Sequence, residues 1–161
     1  MEYLTKLRSD IRDYLVDKIG SDHFVEEFWS DDVIEAAAYL GGRRNRLSQS
    51  PFVLVTVPSI ITDATRSAPT DILDAVDVLC WIAARDTHDE NRQVREASRA
   101  MVLTQAYLSQ TRFGTSFSSE ETINGWQKSI EFEDDEHVIY ALRGTLDLEI
   151  DLQSVIDDYE S

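Results

Sequence analysis

From Val138 to Leu152 the chain alternates strictly. Val138, Tyr140, Leu142, Gly144, Leu146, Leu148, Ile150 and Leu152 share one phase, and Ile139, Ala141, Arg143, Thr145, Asp147, Glu149 and Asp151 share the other. A period of two puts the sets on opposite faces of a β-strand, apolar inward and acidic outward. The preceding run, 123–134, also leaves the helical period, with Trp126, Ile130 and Phe132 expected on one face and Lys128 between them. Asp134-Asp135-Glu136-His137 reads as a solvated turn, so the two runs are expected to pair as a long antiparallel hairpin.

Other segments keep a period near 3.6. Leu4, Leu7, Ile11, Tyr14, Leu15 and Ile19 recur at three- and four-residue steps, which predicts a helix over 3–19 with Gly20 at its C-cap. A shorter helix is predicted from Asp31 to Leu40, with Ser30 as N-cap, Asp31 and Asp32 favouring the positive end of its dipole, and Gly41-Gly42 stopping it. Val94, Ala97, Met101, Thr104 and Leu108 mark one face of a helix over 90–110. Two apolar runs, 52–57 (ended by Pro58) and 75–84, suit strands buried on both faces. The segment 23–29 is apolar enough to pack but too short to assign, and 59–73 reads as a loop or irregular edge. This order gives an α+β fold. We expect one domain over 1–152 and an acidic tail over 153–161. The sheet should hold four to five mostly antiparallel strands, with the first and third helices packed on one face.

Length agrees with one domain: 161 residues, 42% of them hydrophobic, can bury a single core. The formal charge is −16, and it is uneven. Residues 131–161 hold eleven carboxylates against Arg143 alone. Such a surface repels phosphate, which argues against ordinary sequence-specific DNA binding. It suits a basic protein partner, a metal, or a wall past which DNA slides without sticking. No apolar run reaches the ~18–20 residues of a membrane helix. The N-terminal residues lack the pattern of a signal peptide, and the one cysteine, Cys80, leaves no internal disulfide. A soluble protein of a reducing compartment is expected.

Catalysis finds little support. Asp86, His88 and Asp89 lie in one polar turn before a helix and are better explained by capping than by metal ligation. His23 and His137 lack a ligand spacing such as H-E-x-x-H, and no nucleophile elbow, Walker loop or dinucleotide fingerprint occurs. Cys80 sits mid-strand as a buried, inert thiol. No catalytic residue, metal or cofactor is expected.

The arginines carry more information. Arg43, Arg44 and Arg46 form a concentrated patch, either a solvated loop or a dock for an acidic partner or another copy of the chain. Arg92, Arg95 and Arg99 lie on one helix face near Val102, Leu103 and Ala106, a mix of fixed charge and apolar surface found at interfaces with a basic rim. Asp147, Glu149 and Asp151 present the opposite sign. Two unlike surfaces on one protomer favour head-to-tail contact, which closes into rings.

The chain resembles phage tail terminator and tail-completion proteins, in particular the Mu-like terminator type. The likeness lies in hydrophobic patterning over 1–152. It comprises an amphipathic first helix, the block Pro51-Phe52-Val53-Leu54-Val55-Thr56-Val57, and the strand Val76-Asp77-Val78-Leu79-Cys80-Trp81-Ile82-Ala83-Ala84-Arg85. The helix containing Arg95-Glu96-Ala97-Ser98-Arg99-Ala100-Met101 and the closing run Val138–Leu148 complete it. The resemblance implies a non-enzymatic virion protein, assembled in the host bacterial cytoplasm and residing at the tail or neck. Such proteins form a hexameric ring on the last tube ring, stop its elongation, and meet a neck or head-connector protein. Partners would then be further copies of itself and the tail tube protein, with DNA passing through unbound and no membrane involved. Asp147, Glu149 and Asp151 would line or rim the channel, or face solvent on an outer strand. Arg92, Arg95, Arg99 and Leu103 would contact the neighbouring protomer. The alternative is an acidic inhibitor that mimics DNA in the groove of a basic nuclease or DNA-binding protein.

Overall fold

The computed structural model describes residues 2–43, 51–57, 60–62, 71–84, 90–111, 113, 122–133, 138–151, 153, 156, 157 and 159. Along the chain run α1 (Glu2–Ile19), β1 (Phe24–Glu27), α2 (Val33–Arg43), β2 (Phe52–Thr56), β3 (Ile60–Thr62), β4 (Asp71–Ala84), α3 (Glu90–Ser109), β5 (Asn124–Glu133) and β6 (Val138–Asp151). The fold is α+β. Its mixed sheet has the order β1-β2-β4-β6-β5, with the short β3 also paired to β4.

The centre of the sheet is the antiparallel pair β4·β6, in continuous register from Ala84↔Val138 to Asp71↔Asp151. The expected hairpin β5·β6 forms beside it. All neighbours are antiparallel except β1·β2. That exception follows from connectivity, because parallel neighbours need a crossover and α2 supplies it. The unassigned segment 23–29 thus contains an edge strand. The expected loop over 59–73 also contains β3, and β4 starts at Asp71 rather than Ala75. Along β4, Thr56 opposes Leu79 and Ile60 opposes Val76, so β2 and β3 follow one another down the same edge with one extra residue between them.

α1 and α3 cover one face of the sheet, as expected. Leu7, Ile11 and Leu15 of α1 and Ala97, Ala100 and Leu108 of α3 pack on Val76, Val78, Cys80, Ile82, Tyr140 and Leu142. Thr104 joins them without an orphan hydroxyl, donating to Ala100 O at 2.7 Å. Val94 departs from the expected buried face of α3 and is 39% exposed. α2 covers the opposite face, where Ala36 and Leu40 pack with Phe28, Leu54, Leu79, Trp81, Ile139 and Ala141. The first half of β6 is therefore buried on both sides. The expected pattern, apolar inward and acidic outward, therefore fails over this half, where Ile139 and Ala141 are buried on the second face as well.

Three local details correct the sequence reading. Asp32, not Ser30, caps α2: its Oδ1 accepts the Ile34 N–H at 2.8 Å, and Ser30 Oγ accepts the Asp32 N–H one step earlier. Gly41 and Gly42 do not stop α2, which continues to Arg43. A register shift between Ile130 and Phe132 moves Phe132 opposite Ile139 while Ile130 stays opposite Tyr140, so the two do not share a face. Gly125, at φ +67°, lies in the other irregular stretch of β5. Gly144 keeps the hairpin tight, since a Cβ there would meet Ile123 Cγ2 at 2.5 Å and the Trp126 ring at 2.8 Å.

Candidate functional site

Two surfaces of unlike character stand out. The first is the outward stripe of α3. Arg95, Arg99, Val102 and Ala106 recur at helical spacing and are all exposed, Val102 to 56%. Leu103 is half-buried at the flank of the stripe. Arg92 precedes Arg95 by three residues in the same helix.

Arg95 and Arg99 differ in their surroundings from the arginines of α1. Arg8 and Arg12 of α1 are held by Glu27 of β1: Arg8 Nε lies 3.1 Å from its Oε1, and Arg12 Nη2 lies 3.7 Å from its Oε2. Ser9 Oγ donates to the same carboxylate at 2.8 Å. Burial raises the affinity of Glu27 for a proton, but these hydrogen bonds and the two guanidinium charges outweigh it and hold the carboxyl below its ordinary range. Among the described residues, by contrast, neither Arg95 nor Arg99 has a carboxylate partner. Two fixed positive charges and an exposed valine thus remain available to another molecule.

The second surface belongs to the far half of β4·β6. Asp147, Glu149 and Asp151 occupy alternate positions of β6, in phase with Arg143 and Thr145. The register brings two further acidic positions to the same sheet face, 77 opposite Thr145 and 71 opposite 151. Sequence reading passed over both because each was weighed only within its own segment. Periodicity held the signal, but the pairing offset between β4 and β6 was needed to read it. At the near end of this face Asp77, Gly125, Gln127, Arg143 and Thr145 line an open depression of about 210 Å³. It is shallow and polar, unlike the enclosed apolar pockets that take small molecules.

The basic loop expected at 43–46 is only partly within the described residues. Arg43 ends α2 instead of lying in a loop. Arg44 and Arg46 lie outside the described residues, as do the expected turn 134–137 and the polar turn with Asp86, His88 and Asp89.

Two groups weighed for chemistry, Cys80 and His23, are placed by the structure. Cys80 is fully buried in β4, and burial pushes its thiol up to about 12, far from a nucleophile's range. No group of three potential metal-ligating side chains occurs among the described residues. His23 is buried at the end of α1, with Nδ1 bonded to Asp22 Oδ1 at 2.6 Å and near Ile19 O at 3.2 Å, a local structural role. No helix is long and apolar enough to cross a membrane. No protein-family model matches the chain, and no curated protein matches it.

Proposed function

We propose that this chain is a non-enzymatic structural protein of a phage or prophage virion. In this reading it is a tail terminator whose copies associate head to tail into a ring that caps the tail tube, stops its elongation and joins the tail to the neck or head. One observation carries the reading. The basic and apolar stripe of α3 lies on the side of the sheet covered by α1 and α3, whereas positions 71, 77, 147, 149 and 151 lie in register on the face that α2 covers in its other half. Distinct, complementary patches on opposite sides of one protomer make a heterologous contact, and such contacts close when the rotation between neighbours permits. The six-fold count, the tube and neck partners and the virion location rest on the resemblance in hydrophobic patterning.

Only the part of the acidic face left uncovered by the neighbouring protomer would serve as a channel wall. A duplex carries one negative charge per ~1.7 Å of its axis, so a wall of carboxylates gives it no counter-charge to bind and lets it slide. The direct test is electron microscopy of tails assembled without this protein. The terminator role gives tubes of uncontrolled length that fail to join heads. Tails of normal length that join heads would refute it. Tight 1:1 binding of the isolated monomer to a basic nuclease would instead support the DNA-mimic reading.

A further inference from the structure

The segment after β6 has the character that the α3 stripe lacks. Residues 153, 156, 157 and 159 are helical. Ile156 and Tyr159 stand one helical turn apart there, 49% and 91% exposed, so most of an aromatic ring and half of an aliphatic side chain face water. Asp157 lies beside them, exposed, with the Gln153 amide donating to its Oδ1 at 2.9 Å. No Lys or Arg follows Arg143 in the sequence, so nothing basic offsets this carboxylate from within the segment. The α3 stripe is the converse: the exposed Arg95 and Arg99, without a carboxylate partner among the described residues, lead into the exposed Val102 and Ala106.

Reach decides whose stripe the segment can meet. Ser98, next to Arg99, lies 3.5 Å from the Tyr140 hydroxyl, which sets the basic end of the stripe level with position 140 of β6. From Tyr140 to Asp151 the strand runs a further eleven residues, roughly 36 Å. From Asp151 to Tyr159, two residues of chain and six of helix advance only about 16 Å. The segment therefore falls short of the arginines of its own α3. We propose that it docks on the α3 stripe of a neighbouring copy, with Ile156 and Tyr159 against Val102 and Ala106 and Asp157 beside Arg99. This is an amphipathic helix laid on a helix face and read through anchors at i and i+3. Because stripe and segment lie far apart on one chain, each copy gives its segment to one neighbour and receives another's, a heterologous contact. The inference rests on the ring reading above and names the segment that makes its contact.

Crosslinking with tail tube protein supplied tests the contact. Mixed Val102→Cys and Tyr159→Cys chains should form disulfide-linked heterodimers under mild oxidation at least about tenfold faster than mixed Val102→Cys and Val16→Cys chains. Val16→Cys places its thiol on the exposed face of α1, and the native Cys80 is buried. One chain carrying both Val102→Cys and Tyr159→Cys should give covalent multimers rather than an internally closed monomer. Ile156→Glu/Tyr159→Glu should weaken the association seen by sedimentation velocity at least about tenfold, while circular dichroism stays unchanged because both positions are exposed. Equal crosslinking rates, an internally closed monomer, or an association indifferent to Ile156→Glu/Tyr159→Glu would overturn the proposal. Where that indifferent association is still lost in Arg95→Glu/Arg99→Glu, the segment's contact falls and the ring stands. The expected crosslinks from a protein whose absence leaves phage tails at normal length would uphold the contact and remove the terminator role.

Discussion

Glu27 shows how one side chain fixes the relation of two elements. It lies on the four-residue strand β1, too short to hold its place by ladder bonds alone, and accepts from Ser9 and Arg8 of α1 with Arg12 nearby. Its folded pKa lies below the unfolded value, so the stability it supplies is present above ~4.3, the ordinary glutamate range, and is lost as pH falls through the folded value. Glu27→Gln should cost about 1–3 kcal/mol at pH 7, and chemical denaturation at pH 3 should find the gap from the native chain reduced. A gap that stays constant from pH 7 to pH 3 would contradict this. At this scale the sequence was legible where residues act locally. The inertness of Cys80 and the core face of α1 could be read directly. The α2 cap was misplaced by two residues because Ser30 and Asp32 are both good caps, and only the start of the helix at Val33 decides between them. Glu27 itself could not be read, since its partners lie 15 to 19 residues away.

Elements were legible where their period was long. The hairpin β5·β6, the α3 helix and the strand β2 follow from alternation or helical spacing, whereas β1 and β3 are too short for any period to show. The bulge that moves Phe132 to the other face is invisible in sequence because one inserted residue leaves composition unchanged. Pairing register, absent from the sequence, also exposes a conflict. Asp71 stands directly opposite Asp151, and like charges across a strand pair destabilise by about 0.2–1 kcal/mol. Asp151→Asn should therefore raise the melting temperature by roughly 1–4 °C at low ionic strength, and added salt should shrink the difference. A lower melting temperature would show that Asp151 is compensated by a partner.

At the scale of the molecule, the three helices divide the work. α1 and the inner face of α3 build the core, α2 closes the other face of the sheet, the outer face of α3 carries Arg95 and Arg99 beside exposed Val102, and the outer face of α2 exposes Ile34. The candidate surfaces were half legible. The α3 arginines were found by helical spacing, but the extent of the acidic face needed the β4·β6 register and the pair Ile156 and Tyr159 needed solvent exposure. A terminator ring requires the α3 stripe to meet a neighbouring copy, and native mass spectrometry with tail tube protein supplied tests that most directly. It should show closed assemblies of six copies that are lost in Arg95→Glu/Arg99→Glu and kept in Ile34→Glu. Monomers at every concentration with tube protein present, or assemblies indifferent to the two arginines, would contradict it.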